Sequence, residues 1–470
     1  MDVLIVGAGS AGSVLAERLS ADPSCQVTVV EAGPALSDPR VAAQITDGLR
    51  LPIGAASGVV RHYPVTLTEQ PRRHAEIMRG AVVGGSGAVN GGYFCRGLPA
   101  DFDRWAVPGW AWEDVLPHFL AIENDLDFDN AIHGSDGPIT VRRVREFDGC
   151  TAAFVNAATA AGFGWLEDLN GSDRAATLPA GVGAVPMNID GGTRVGPGGA
   201  YLQPALHRAN LTVKTDTRVC RVRFTGGRVV GVECQNGETI DADRVILCAG
   251  AIGSAHLLML SGVGPPGVLE PLGIAVRSGV PVGTATVDHP EWVLPIDWTP
   301  THDLPPLEAV LTTAEGLEIR PYTAGFAAMV HGVRDDPVDR PHIGVALMRP
   351  SSRGNLRLAS ADPAVRPVIE HRYDSAPADA ITLADGAALT HELVSGTGEV
   401  GEPSWSTSQH LAGTAPMGTG TDAVLDPTCR VLGVTGLWVV DGSIMPAITS
   451  RGPHATIAMI GHRAAEFIVT

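Results

Sequence analysis

The first thirty-two residues constrain this chain more than any other stretch. Val3 to Val6 form a short apolar run, and Gly7-Ala8-Gly9-Ser10-Ala11-Gly12 follows at once. Apolar residues then recur at Ala11, Val14, Leu15 and Leu19, the spacing of one helix face. A second β-branched run, Val27 to Val30, ends in Glu31-Ala32. Strand, glycine turn, helix, strand and acid therefore follow one another at the spacing of a dinucleotide-binding unit.

Each residue type has a physical task there. Gly7 permits the tight turn out of the strand, Gly9 lets a pyrophosphate approach the backbone, and Gly12 lets the helix pack on the sheet. The helix start offers free N–H groups and a positive dipole end. Glu31 can accept from a ribose 2′-hydroxyl and repels a 2′-phosphate, which disfavours NADP.

The choice between a nicotinamide and a flavin falls further along. Residues 217–250 alternate in face, turn at Gly226-Gly227, and turn again at Asn236-Gly237, a type I′ hairpin signal. They end in Arg244-Val-Ile-Leu-Cys-Ala-Gly250. The pattern predicts a three-stranded antiparallel meander feeding a buried strand. A nicotinamide dehydrogenase would place further βαβ units there, whereas a meander fits the two-domain FAD enzymes by fold analogy.

Several segments then resemble the glucose–methanol–choline (GMC) family of flavin oxidoreductases. They begin with Arg79-Gly-Ala-Val-Val83-Gly84-Gly85-Ser86-Gly-Ala-Val-Asn90-Gly91 and Asp101-Phe-Asp-Arg-Trp105. Tyr201-Leu202 with Asn210-Leu211, Val245 to Gly250, and Ser352-Arg-Gly354 follow in order. His410-Leu-Ala-Gly-Thr-Ala-Pro-Met-Gly418, Asp441-Gly442-Ser443 and the closing helix at 456–469 complete a match over nearly the whole chain.

The resemblance implies an α/β fold. Its FAD-binding Rossmann-like domain would comprise 1–145, 190–285 and 410–470, with an inserted antiparallel-sheet α+β substrate domain at 146–189 and 286–409. Strands are expected at Phe326–Val333, Ile343–Met348 and Asn355–Leu358, and a helix at Ile381–Val394. FAD contacts are implied at Gly7, Gly9, Ser10, Ala11, Gly12, Glu31 and Ala32. A second set comprises Arg79, Val83, Gly84, Gly85, Ser86, Asn90, Gly91 and Val219. A third comprises Ala249, Gly250, Asp441, Gly442, Pro453, His454, Ala455 and Thr456. Members with covalent flavin carry a histidine where this chain reads Gly87-Ala88-Val89-Asn90, so the FAD is expected to be dissociable.

Oxidising an alcohol removes a hydroxyl proton and a hydride, and a neutral imidazole suits the proton. The resemblance makes His410 the base. His454, 44 residues on, is expected to bond the substrate oxygen, although it sits a residue or two from the family position. His462 is expected to be structural, and His289, His331 and His342 ordinary side chains. The shortened stretch at 396–408 implies an open or differently covered site. A choline-type cation would want a carboxylate beside aromatics, and none is evident.

The short length and the Ala-Val-Asn-Gly-Gly loop resemble the mycofactocin-associated subfamily. That implies a peptide-derived alcohol donor, reduced mycofactocin, and electron transfer toward the respiratory chain. Alternatives remain open: an alcohol oxidase using O₂, a redox-silent FAD-containing lyase, an electron relay, and a nicotinamide reductase.

Composition narrows the partners. The net charge of -18 and the lack of any Lys/Arg run argue against nucleic acid. Seven cysteines without a CxxC argue against disulfides and zinc and for a reducing cytoplasm. The expectation is no metal, no signal peptide and no transmembrane segment, with peripheral contact at the inner membrane face left open.

Overall fold

A computed structural model describes residues 1–171, 176–331 and 339–469. The apolar run of the first strand, Asp2–Val6, lies at the centre of a five-stranded parallel sheet. Val3 to Val6 are almost wholly buried, as befits a strand covered on both faces. Gln26–Val30 pairs on one side of it and Arg244–Leu247 on the other. Leu211–Lys214 and Leu437–Val439 form the two edges. One sheet is thus drawn from three distant stretches of chain.

The helix Ser10–Ser20 covers this sheet, with Ala11, Val14, Leu15 and Leu19 buried as their spacing predicts. The closing helix, His454–Ile468, starts two residues before its predicted start and packs against the first. A Cβ at Gly461 would lie 2.6 Å from the carbonyl oxygen of Ala11, so the two backbones nearly touch.

The predicted meander forms from Val219–Thr225, Arg228–Cys234 and Thr239–Asp241. Its turns differ from expectation in one respect. Gly226 and Gly227 both take positive φ (55° and 81°), the requirement of a type I′ turn. At Asn236-Gly237 only the glycine does so (83°), because Asn236 Oδ1 accepts the Glu238 N–H at 3.0 Å and holds the turn differently.

A six-stranded antiparallel sheet runs in the order Ser404–Thr407, Pro290–Pro295, His342–Leu347, Leu317–Pro321, Ala309–Thr312 and Gly181–Ala184. The helix Pro377–Val394 buries Leu383, Ala387 and Val394 beside Val345 and Leu317 in its core. The strand expected at 326–333 does not form over its described part. Phe326–Met329 is a single helical turn, because Asp339 accepts the N–H groups of Ala327 (2.7 Å) and Ala328 (3.2 Å). Residues 332 and 333 of that expectation lie outside the described residues.

The hairpin Val60–Glu69/Arg72–Gly80, which the sequence did not announce, joins Asn355–Arg357 and Val368–Glu370 in a four-stranded sheet. It ties the early chain to the late chain beside the site.

A buried ionic cluster fixes the excursion near 123–170. His133 Nδ1 lies 3.0 Å from Asp125, and its Nε2 lies 2.7 Å from Asp168. Arg96 pairs with Glu123, and Arg143 pairs with Asp125 and Asp168 at 2.9 Å each. Burial disfavours the His133 cation, but bonds to Asp125, Asp168 and Glu123 outweigh it and raise its pKa to about 10. Glu123, Asp125 and His133 have the ligand spacing of a metal site, yet these two guanidinium groups already meet the same carboxylates.

All seven cysteines are free and buried. Among the described residues no helix is long and apolar enough to cross a membrane.

Candidate active site

Three glycine-bearing loops converge on one cavity of about 920 Å³. Gly85, at φ 56°, presses against the first loop so closely that a Cβ there would lie 2.7 Å from Gly9 Cα. A Cβ at Gly87 would lie 2.5 Å from both Ser10 Oγ and His454 Nε2. The residues 7–12, 84–91 and 452–456 therefore share one wall.

Most expected cofactor positions line this cavity: Gly7, Gly9, Ser10, Ala11, Glu31, Ala32, Arg79, Gly85, Ser86, Asn90 and Gly91. Val219, Ala249, Gly250, Asp441, Gly442, Pro453 and His454 also line it, and so does His410. Five expected positions stand behind the wall. Gly12 packs against the Gly7 carbonyl. Gly84 donates its N–H to Ala8 O at 2.7 Å, and Val83 donates to Pro34 O at 3.3 Å. Ala455 and Thr456 are buried in the first turn of the closing helix.

The wall fits an FAD. The helices Ser10–Ser20, Gly250–Leu260 and His454–Ile468 all begin at the cavity and turn their positive ends to it. At Gly9 a Cβ would meet protein atoms no closer than 3.8 Å, so packing alone does not demand glycine there. Glycine leaves room for a ligand instead. Glu31 is buried and accepts Ala8 N–H and Gly33 N–H at 2.9 Å each, which pins its carboxylate at the wall. Burial raises its pKa, against those backbone bonds.

Asp441, one of these lining residues, also holds two elements together. Its Oδ2 accepts Gly250 N–H (2.9 Å) and Ser254 Oγ–H (2.6 Å). Its Oδ1 accepts Ser443 N–H (2.8 Å) and Ser443 Oγ–H (2.5 Å). The carboxylate thereby clamps the start of one cavity helix to the loop that carries Gly442.

His410 stands where the cofactor wall meets the antiparallel sheet. Its backbone N–H donates to Asp288 Oδ1 at 2.6 Å, and its Nδ1 lies 2.8 Å from Nδ1 of His289. Burial, then His289, Arg320 and Arg79, push its pKa well below the ordinary range. The ring is therefore neutral at about pH 7, as a base must be. His289, expected to be an ordinary side chain, stands behind the cavity in hydrogen-bond contact with His410.

His454 does not meet His410 in a hydrogen bond or a ring contact. Its ring abuts Phe94 edge-on at 5.3 Å, and both ring nitrogens are buried without a partner. Burial lowers its pKa to about 4. The residue facing His410 is Gly452, where a Cβ would lie 3.4 Å from His410 Cε1 and 3.0 Å from the Tyr93 ring. Of the other histidines, His462 pairs with His118 at 2.8 Å, a structural contact as expected. His331 is exposed, and His342 packs on Tyr322 at 4.6 Å.

A carboxylate beside aromatics is present after all. Glu291 Oε1 accepts the Tyr322 hydroxyl at 2.9 Å, and Oε2 accepts Ser408 Oγ–H at 2.7 Å. Sequence reasoning missed it because strand Pro290–Pro295 meets Leu317–Pro321 only through the sheet. Arg320 Nη1 also reaches Glu291 (3.2 Å), while its Nη2 holds Glu318 (2.8 Å). Glu318 further accepts Tyr93 Oη–H (2.7 Å) and Arg451 Nη1–H (2.8 Å). Burial raises the Glu318 pKa, but Arg320 and Arg451 outweigh it and hold the carboxyl at about 2. Glu291 and Arg320 line the cavity, and Glu318 and Arg451 stand buried behind them.

Relatives and solved structures give the family and the fold. The sequence matches the N-terminal GMC oxidoreductase model over residues 1–291 and the C-terminal one over 350–461. An uncharacterised GMC-type oxidoreductase of Rhodococcus erythropolis is 42% identical, covering 100% of this chain and 98% of that protein. An oxygen-dependent choline dehydrogenase of Rhizobium etli is 32% identical, covering 100% and 95%. The crystal structure of pyridoxine 4-oxidase from Mesorbium loti superposes with a TM-score of 0.86 at 28% identity, covering 99% and 98%. The chain belongs to the GMC oxidoreductase family. It is an FAD-dependent oxidoreductase of the kind that acts on CH–OH donors.

Proposed function

We propose that this protein oxidises an uncharged alcohol, with His410 as the base. The observation that carries this is a neutral imidazole, half-buried, where a cofactor cradle and a substrate wall share one cavity. Bound FAD supplies the two-electron acceptor. His410 Nε2 takes the hydroxyl proton as hydride leaves the carbinol carbon. Asp288 holds the backbone of His410, and Gly452 leaves room for the carbinol beside the ring. Such a base contributes roughly 10²–10⁴-fold to the rate. We assign His454 to the cofactor end of the cavity, because its ring lies against Gly87 and Ser10.

The substrate wall supports a neutral donor over a quaternary ammonium. The charge of Glu291 is met by Arg320, and its oxygens by two hydroxyls. The donor we put forward first is reduced mycofactocin, on the strength of the loop 88–92 and the short segment before His410. That segment becomes the edge strand Ser404–Thr407, and residues 404–409 line the cavity. Electrons would pass toward the respiratory chain. The seven buried free thiols suit a reducing cytoplasm, and the absence of a histidine or cysteine at 84–91 suits dissociable FAD.

The test is the visible flavin spectrum under anaerobic addition of reduced mycofactocin, simple alcohols and choline. Bleaching by the first or second and not by choline is the expected result. Rapid recolouring on admitting air would make the protein an oxidase. A flavin that no donor bleaches would overturn the alcohol reading in favour of a redox-silent lyase.

A further inference from the structure

His289 is fully buried and immediately precedes strand Pro290–Pro295. Its Nε2 lies 3.0 Å from the carbonyl oxygen of Thr449, and its Nδ1 lies 2.8 Å from Nδ1 of His410. These contacts settle where the hydrogens sit. A carbonyl oxygen only accepts, so His289 Nε2 carries a hydrogen. Burial lowers the His289 pKa to about 4. The ring is therefore neutral and holds one proton, which leaves its Nδ1 as an acceptor. His410 must then donate from its own Nδ1, and its lone pair stands on Nε2. That nitrogen has no hydrogen-bond partner among the described residues.

We propose that His289 is the positioning residue that fixes His410 as the Nδ1–H tautomer and aims its Nε2 lone pair at the substrate. The inference rests on the proposed role of His410 as base and says how that role is set up.

The surroundings explain why an imidazole is used in place of a carboxylate. Asp288 is close, but it is spent elsewhere. Its Oδ1 takes the His410 N–H, and its Oδ2 takes the hydroxyls of Tyr373 (2.7 Å) and Thr407 (2.6 Å). Arg320 and Arg79 add positive field at His410. Glu318 faces His289 but is held by Arg320 and Arg451. A neutral orienting partner fixes the ring without adding a negative charge that would raise its pKa. The relay also has a dead end. A proton arriving at His410 Nε2 can shift its charge no further than His289, because Thr449 O terminates the chain, and it leaves only through the cavity.

The experiment is NMR of the FAD-loaded protein with isotope-labelled histidine ring nitrogens. A His410→Gln variant identifies the His410 signals. The expected result is a protonated Nδ1 and a bare Nε2 on His410. A resting Nε2–H tautomer would overturn the proposal.

Flavin-reduction kinetics provide the second arm. His289→Ala should slow reduction by roughly ten- to a hundredfold with little change in KM, the order seen when outer partners of a metal-bound imidazole are removed. His289→Asn places an oxygen acceptor near the old Nδ1 and should restore most of the loss. His289→Asp offers a charged acceptor and should move the acid limb of the rate profile upward. Equal losses in all three variants with an unshifted profile would mean a merely structural role and sink the idea. A flavin that no alcohol bleaches, beside the assigned tautomer, would fail the alcohol reading while supporting this one.

Discussion

Arg320 spans Glu291 and Glu318, reaching the first at 3.2 Å and the second at 2.8 Å on the substrate wall. One guanidinium thus neutralises the carboxylate that would otherwise attract a cationic substrate. Arg320→Gln should leave buried charge uncompensated and cost roughly 3 kcal/mol. Thermal unfolding reads that loss. In the folded fraction, choline should gain affinity, read as a perturbation of the flavin spectrum. Unchanged stability would contradict the pairing.

Gly9 separates folding from cofactor binding. A Cβ there meets protein only at 3.8 Å, and the residue's φ is -74°. Gly9→Ala should leave the apoprotein within about 0.5 kcal/mol of the parent. Its FAD affinity should fall by about ten- to a hundredfold, roughly 1.4–2.8 kcal/mol. Titration of apoprotein with FAD, followed by flavin fluorescence, distinguishes the two effects.

Acid should weaken the fold in two stages. Burial holds His256, His289 and His454 at about 4 and His462 at about 3. Each is neutral when folded and charges at about 6.5 when unfolded, so stability falls as pH drops through that window. Asp125 and Glu318, each at about 2, have the opposite reference but the same sign of effect. Burial raises both, and their cationic partners outweigh it. Their contribution is lost below the ordinary carboxylate range. Melting temperature against pH should show the steeper decline between about 6.5 and 4, where four histidines contribute, and a shallower one below about 4, where two carboxylates do.

The His133 cluster acts at the alkaline end. A folded pKa of about 10 means its stabilisation is complete below about 6.5 and is lost as pH rises through 10. His133→Gln should lower the melting temperature near neutrality, by about 3 kcal/mol in stability. It should also flatten the decline between about pH 6.5 and 10. A parallel alkaline decline in parent and variant would assign that limb to other groups.

Dissociable flavin has a direct check. Acid precipitation should release all yellow colour into the supernatant, and adding FAD back to apoprotein should restore the spectrum. Colour retained in the pellet would mean a covalent link to a residue outside the loop 84–91.

Much of the cofactor half was legible because its signals are local. Glycine spacing, one helix face and the acid at 31 all lie within a single βαβ unit, where backbone geometry dictates residue type. The three-loop wall became visible only through resemblance, since nothing local brings Gly87 to His454. His289 was passed over for the same reason: it is 121 residues from His410, and buried histidines are commonplace. Glu291 reads as an ordinary strand residue until Arg320 and Tyr322 arrive from another strand and the residue just past its end. The clamp made by Asp441 was not legible, because its four donors come from the chain's own turn and a distant helix. Phe326–Met329 was misjudged as strand because its cap, Asp339, lies beyond the sequence window that sets local propensity.

The parallel sheet has a consequence for the order of events during synthesis. Its central strand is made long before one edge strand, Leu437–Val439, and the helix His454–Ile468. Two of the three helix starts at the cavity are thus present on a growing chain before the third. FAD meets a complete cradle only once His454–Ile468 has been made, and until then the chain must keep the strand Asp2–Val6 and its helix from other partners. Bound flavin would then act as a ligand that draws these distant stretches together and holds them.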